Sequence, residues 1–430
     1  YLDRYILNVT MRSDGSSRFA PSDRYGYFPS VSLGWNVSKE SFWKFPQTDL
    51  KFRLSYGKTG NQDGIGNYAW QPLMSGGINY GNNSGMAVTS MGNNKLTWET
   101  ADQYDFGFDL GFWNGKLNMI ADIYLKNTNN LLYSMPLHGT SGFTSITSNI
   151  GSMRNYGVEF SINGHLNIGK VNWTSSFNIS HNKNKLTKLL GDDLLPIGSN
   201  RALKVGEELG AFYLFQMDGL YQYDGEVPQP LYDLGVRAGD VKYHDADNNG
   251  IINDNDRVLT GSSNPDFFGG WNNTFKYKGF QLDVFFTYMY GNDVYAEWAV
   301  TATRPGYRMA ITEDVAKNRW TAPGSSDKYP RAVNTLCGHN SKNSTRFLED
   351  GSFIRLRSLT FSYTFPQVML QKICLKGLRL YVQGDNLLLF SKYSGWDPEV
   401  SKNMDPQYFG VDLYGVPPSR SVNFGINLSF

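Results

Sequence analysis

The stretch Asp245-Ala-Asp247-Asn-Asn249-Gly250-Ile251-Ile-Asn253-Asp-Asn255-Asp256 carries the sharpest chemical pattern in the chain. Oxygen-bearing side chains at the first, third and fifth places, a glycine at the sixth, a backbone carbonyl at the seventh and an acid at the twelfth match the spacing of a calcium loop. The predicted ligands are Asp245, Asp247, Asn249, Ile251 and Asp256, and calcium is the only cofactor the chain suggests. Two features pull the other way. Asp256 stands where the helix-flanked form has a longer glutamate, and no amphipathic helix is predicted beside the loop. An Asx-rich turn that needs no metal accounts for the same residues, so both readings stay open.

Other chemistry is thin. Gly57-Lys58-Thr59 looks like the end of a phosphate-binding loop, but Phe52 occupies the place of the first glycine and the motif fails. Carboxylate pairs such as Asp192 and Asp193 lack a partner base, and neither a nucleophile elbow nor a zinc-binding H-E-x-x-H occurs. Cys337 and Cys374 are too few and too distant for a zinc cluster, and the five histidines show no ligand spacing. The chain therefore reads as a non-enzyme. Trp298, Tyr307, Trp320, Trp396 and Tyr408 are the remaining candidates, because flat rings in loops stack on sugar faces or peptide side chains. Loop packing, or a belt of interfacial aromatics, explains such rings equally well.

The elements that hold these residues are strands. Leu50, Phe52, Leu54 and Tyr56 alternate with Lys51, Arg53, Ser55 and Gly57, and Tyr104 to Phe112 alternates likewise with Asp105, Gly107, Asp109 and Gly111. The same period recurs in Leu117 to Leu125, Tyr156 to Ile162, Val171 to Ile179, Phe280 to Tyr290 and Leu378 to Gly384. Counting such segments predicts about twelve to fourteen strands. The last of them, Ser421 to Phe430, places Val422, Phe424, Ile426, Leu428 and Phe430 on one face and small uncharged residues on the other.

That polar face suits a hydrated lumen and the apolar face suits lipid, which predicts an antiparallel transmembrane β-barrel. Aromatics make up 15% of the chain and charged residues 18%, against about 25% charged in a typical soluble domain. No run of about 18 apolar residues occurs, so no helix is expected to span a bilayer, whereas strands with every second residue apolar cross one at a mean hydropathy of -0.42. The net charge of +1 argues against nucleic acid as a partner.

Connections strengthen the barrel. Trp113-Asn114-Gly115, residues 165–170, Tyr277-Lys278-Gly279 and residues 365–376 are short, while 58–103, 126–155, 180–265, 291–352 and 389–420 are long and rich in Gly, Asn, Ser and Pro. If each strand crosses once, all the long ones fall on one side, as in outer-membrane barrels. A compact soluble domain rarely holds so many long loops. This phase puts Phe430 at the periplasmic rim, with Cys337 in an external loop and Cys374 in a periplasmic turn, too far apart for a disulfide. The chain begins in mid-strand without an initiator methionine and is read, over 1–430, as one incomplete domain at the carboxyl-terminal end of a longer protein.

The chain also resembles the SusC/RagA family of TonB-dependent outer-membrane transporters of Bacteroidetes. The resembling segments are Gly15-Ser-Ser-Arg-Phe19 with Tyr27-Phe-Pro-Ser30 and Gly34-Trp35; Leu54-Ser-Tyr-Gly57 with Thr59-Gly-Asn61; and Asn155-Tyr-Gly-Val-Glu159. Next come the acidic loop at 245–256 with Gly261 and Pro265, Gly351-Ser-Phe-Ile-Arg-Leu-Arg357, Gly384-Asp-Asn-Leu387 with Gly395-Trp-Asp-Pro-Glu399, and the terminal strand.

The resemblance implies a barrel of about 22 strands filled by an amino-terminal plug. It also implies a SusD-like surface lipoprotein as lid, import of oligosaccharides or peptides driven through TonB, and a terminal strand presented by Phe424, Ile426, Leu428 and Phe430 to the barrel-assembly machinery. The plug, its TonB-contacting segment and the first strands are not in this sequence. A secreted soluble β-rich glycan-binding or adhesive protein and a passive porin are the alternatives.

Overall fold

The computed structural model describes residues 1–191, 194–306, 309–333, 338–371, 375–402 and 408–430. Asp192, Asp193, Tyr307, Cys337 and Cys374 lie outside the described residues. The chain divides into two compact units, Tyr1–Asp193 with Lys204–Leu209, and Leu194–Leu203 with Gly210–Phe430.

The first unit holds seven long strands in meander order: β1 (Tyr5–Gly15), β2 (Tyr25–Asn36), β3 (Thr48–Asn61), β4 (Glu99–Phe112), β5 (Leu117–Pro136), β6 (Ser145–Ile168) and β7 (Val171–Leu189). The second holds five: β8 (Phe267–Tyr277), β9 (Phe280–Tyr290), β10 (Phe353–Thr364), β11 (Gly377–Ser391) and β12 (Ser421–Ser429). Twelve long strands thus lie within the range the periodicity predicts, and neighbours in each unit pair antiparallel. Among the described residues β1 pairs only with β2, and β12 only with β11. No helix is long and apolar enough to cross a membrane.

Register turns the alternation of single strands into surfaces. Leu7, Leu33, Leu54, Phe106, Ile123 and Val158 lie opposite one another across six neighbouring strands, and every one is exposed. One residue along, Asn8, Ser32, Ser55, Asp105, Tyr124, Gly157 and Asn182 form the matching row on the other face. In the second unit Phe275, Leu282, Phe361, Val382 and Phe424 make the apolar row, with Phe424 at 82% exposure. Sheet faces this apolar and this open need a hydrocarbon solvent, since water would penalise each ring by about 1.5–3 kcal/mol relative to burial.

Glycines on the polar face are shielded by tyrosines from the strand beside them. A Cβ on Gly425 would sit 2.1 Å from the Tyr381 ring, and one on Gly157 2.6 Å from the Tyr124 hydroxyl. Each tyrosine is the directly opposed partner of its glycine, so its ring lies flat across the gap in the wall. The Tyr124 hydroxyl then donates to Asn182 at 2.8 Å, tying three strands together.

Strands outrun the sequence expectation at one end. The predicted loop 126–155 is mostly ladder, because β5 and β6 run for 20 and 24 residues and leave only 137–144 as connection. Hydrophobic alternation stops at Leu125 while backbone pairing continues through Lys126, Asn127 and Thr128 opposite Asn155, Arg154 and Met153. Periodicity reports the solvent beside a strand; pairing does not need that contrast. Strands of this length exceed the roughly 9–11 residues that cross a bilayer and project beyond it.

The longer connections fold on their own cores. Phe19, Phe28, Ile65, Leu96 and Trp98 form one in the first unit, where Phe28 also fills the space above Gly60. In the second unit, residues 210–266 include a small ladder of Ala211–Phe215 with Arg257–Ser262 and a second of Met217–Leu220 with Val241–Tyr243.

Replacing Gly425 by valine should push the Tyr381 ring off the wall and destabilise the barrel by about 1–3 kcal/mol. Thermal unfolding of the intact protein in detergent, followed by loss of heat-modifiable mobility, would show it; an unshifted midpoint would contradict the packing described.

Candidate functional site in the long loops

Two connections meet in the second unit, the one after β9 (291–352) and the one after β11 (392–420). Their shared core is Val294, Tyr295, Ala296, Ala299, Phe347, Tyr393 and Val411, with Phe212 and Leu214 beneath. Backbone stitches it: Tyr295 N–H donates to Gly410 carbonyl at 2.8 Å and Asp412 N–H to Tyr295 carbonyl at 3.0 Å. A polar chain runs through the apolar cluster. Trp298 Nε1 donates to the Tyr393 hydroxyl at 3.0 Å, which donates to Asp412 Oδ2 at 2.7 Å. Burial and that carboxylate push the Tyr393 phenol well above its usual range, so it remains a donor.

The base of the second connection is latched to the barrel. Arg355 on β10 reaches Asp397 at 2.6 Å and Glu399 at 3.0 Å, and Arg357 takes both oxygens of Glu399 at 2.8 and 2.9 Å. Side-chain exposures of 3% and 5% for Arg355 and Asp397 make this a desolvated pair, whose strength rests on complete pairing. The sequence motifs Gly351 to Arg357 and Gly395 to Glu399 are thus two halves of one contact.

Beside the shared core lies a cavity of about 590 Å³, lined by residues of both connections. Trp298 forms part of its wall; Arg346 and Lys328 enter from the first connection and Lys392 from the second. Arg346 is fixed by neutral acceptors, the Thr303 carbonyl at 2.7 Å and the Asn340 carbonyl at 3.1 Å, and burial lowers its pKa to about 10.

The predicted aromatic contacts separate. Trp298 and Tyr408 both pack against the shared core, and only Trp298 lines the cavity. Trp320 packs against the core around Phe215 and Val241, its Nε1 donating to Gln222 at 3.1 Å. Trp396 is 80% exposed beside the latch, and Tyr307 lies outside the described residues. Sequence reasoning passed over Arg346, Lys328 and Lys392, since lone cations in long polar loops carry no period or motif. Arg355 and Arg357 did leave a signal, as the two cations of the strand, at alternate places on either side of Leu356.

In the acidic loop, carboxylate oxygens of Asp245, Asp247 and Asp256 lie within 4.8 Å of one another. The loop is also knit by its own backbone. Asp245 accepts from Gly250 N–H at 2.6 Å and Asn249 N–H at 3.2 Å, while Asn249 Oδ1 accepts from Ile251 N–H at 2.8 Å. Asp256, fully buried, accepts from Ala246 N–H at 2.9 Å and caps the turn Asp254–Asp256 through Asn253 N–H at 2.7 Å. Desolvation would raise the Asp245 pKa, but the backbone donors outweigh it and hold the group below the usual carboxylate range, ionised. Three converging carboxylates fit a divalent cation, each oxygen keeping a second lone pair.

Residues 1–387 match the family model described as TonB dependent receptor-like, beta-barrel. The chain belongs to this family. Its barrel is accordingly an integral outer-membrane one of the SusC/RagA type, which removes the secreted soluble alternative. Among its relatives, the TonB-dependent receptor P3 of Formosa agariphila is 34% identical over all of this chain and 44% of its own length. The TonB-dependent receptor SusC of Bacteroides thetaiotaomicron is 31% identical over 100% of the chain and 42% of its own. Among solved structures, the RagAB peptide transporter superposes with a TM-score of 0.86 at 27% identity, over 99% of this chain and 46% of that one. The receptor chain thus spans under half the length of the relatives it matches. Receptor and transporter names among them accord with reading it as a non-enzyme.

In the receptor, Asp397→Ala should leave the buried Arg355 with Glu399 as its one remaining carboxylate and cost up to about 3 kcal/mol, freeing the 392–420 connection to protease. Arg355→Met combined with Asp397→Leu should restore most of that loss. A double variant no better than either single would show that the pair does not act as a desolvated unit.

Proposed function

We propose that the receptor is an active importer of nutrient oligomers, oligosaccharides or peptides, energised through TonB and capped by a SusD-like surface lipoprotein. The observation that carries this reading is the pairing of a polar-faced barrel wall with long connections that fold into a lined cavity rather than spreading as loose loops. The likeness to the RagAB peptide transporter supports import, and kinship with SusC supports the same class of receptor. Trp396, Tyr414 and Val416, at 80, 60 and 94% exposure, give the 392–420 connection an apolar crest suited to a protein lid. At the opposite end, Phe424, Ile426, Leu428 and Phe430 offer the terminal strand to the barrel-assembly machinery. Deleting the gene should abolish growth on at least one oligosaccharide or peptide source while leaving growth on the monomers intact. Growth unchanged on every such source would remove the import reading.

Calcium at Asp245, Asp247 and Asp256, with Asn249 and the Ile251 carbonyl completing the set, would stiffen the loop by neutralising carboxylates that already converge. Adding millimolar calcium to the purified receptor should slow amide exchange across 245–256, and Asp247→Asn should erase that protection. Equal exchange with calcium and with chelator would assign the loop to hydrogen bonds alone.

A further inference from the structure

The charges around the long-loop cavity are unequally committed. Asp314 accepts from Asn318 at 2.6 Å and the Tyr329 hydroxyl at 2.5 Å, and Glu349 accepts at both oxygens from Ser394 N–H and Oγ, at 2.8 and 2.7 Å. Asp350 is held by Ser352 N–H at 2.9 Å, with Lys392 near enough to feel its field. The acids are therefore engaged largely by neutral donors of the protein. Lys328, Arg346 and Lys392 line the same cavity, and among the described residues none of the three stands in an ion pair. Lys328 rests 4.8 Å from the Tyr329 ring centroid and feels the fields of Asp314 and Glu349, whereas the Arg346 donors go to carbonyls and the Thr303 hydroxyl. A guanidinium cannot shed its proton to escape burial, so its charge persists at the cavity wall and favours an anion in that space.

We propose that this cavity binds an anionic group of an oligomeric ligand, a carboxylate or a sulfate, with Arg346 as the buried contact and Lys328 and Lys392 as flanking charges. The inference deepens the import reading and rests on it, naming acidic oligomers as the substrate class. A carboxylate is supplied by a sugar acid or by an acidic peptide, and the Trp298 wall accommodates either.

Calorimetric titration of the intact detergent-purified receptor tests it. The ligands are trigalacturonate, triglutamate and neutral maltotriose, with inorganic sulfate as competitor. At least one acidic trimer should bind while maltotriose does not, sulfate should compete, and affinity should fall with ionic strength. Arg346→Gln should weaken binding about ten-fold or more, as expected for a charge-assisted contact, and Lys392→Gln about three-fold. Whichever trimer binds more tightly identifies sugar acid or peptide as the source. Equal binding of maltotriose, or an acidic trimer bound equally by Arg346→Gln and the Lys328→Gln, Lys392→Gln double variant, would overturn the proposal. If Arg346→Gln fails to reach the outer membrane, the lysine double variant decides alone. Growth phenotypes judge import and titration judges the anion site, so either reading can fail without the other.

Discussion

Every backbone N–H and C=O inside hydrocarbon must find a partner within the protein, because the solvent offers none. The rest of this chain follows from that constraint. Strands pair edge to edge in meander order, alternate residues fall on opposite faces, and the rows built by register become one surface of Leu, Phe, Ile and Val and another of Ser, Asn, Asp, Tyr and Gly. Glycine is tolerated in the wall where a tyrosine from the opposed residue covers it, as Tyr381 covers Gly425. Unpaired strand edges conflict with the same rule, which is why β1 and β12 would find partners in a closed barrel.

Outside the bilayer the constraint relaxes and ordinary soluble-protein physics takes over. The long connections bury aromatic cores of their own, around Phe19 and Trp98 in one unit and around Tyr295 and Phe347 in the other. Packing of this kind replaces flexible loops with fixed walls, and the Arg355 to Asp397 pair nails one of those walls to a barrel strand. A buried pair is a weak source of net stability but a strict one of geometry, since the charge left by any other arrangement has nowhere to go. That rigidity gives the cavity beside Trp298 a defined shape and keeps Arg346 facing into it.

Much of the fold could be read from alternation. Segments such as Leu50 to Gly57 and Tyr104 to Phe112 announced strands, and the phase of short and long connections placed the loops on one side. The ends of strands could not be read that way, because Lys126 to Asn129 pair with β6 although all four are polar and the hydrophobic contrast vanishes. The aromatic loop residues were visible as types and not as roles. Trp298 and Trp320 are largely committed to packing, and only their distant neighbours, Tyr393 and Gln222, reveal it.

By itself the sequence determined the solvent of each face, and hence the barrel, because a period of two is a local property that survives any arrangement of strands. It also set the acidic loop, whose hydrogen bonds close within twelve residues of Asp245. Only the tertiary structure decided which loop charges are spent and which are free. Arg355 and Asp397 stand 42 residues apart and Lys392 follows Arg346 by far more than a turn, yet the first two neutralise each other while Arg346 and Lys392 share a cavity whose acids, Asp314, Glu349 and Asp350, are hydrogen-bonded to neutral donors. Electrostatic partnership depends on distance in space, and that distance is fixed here by strand register and by the packed cores of the loops.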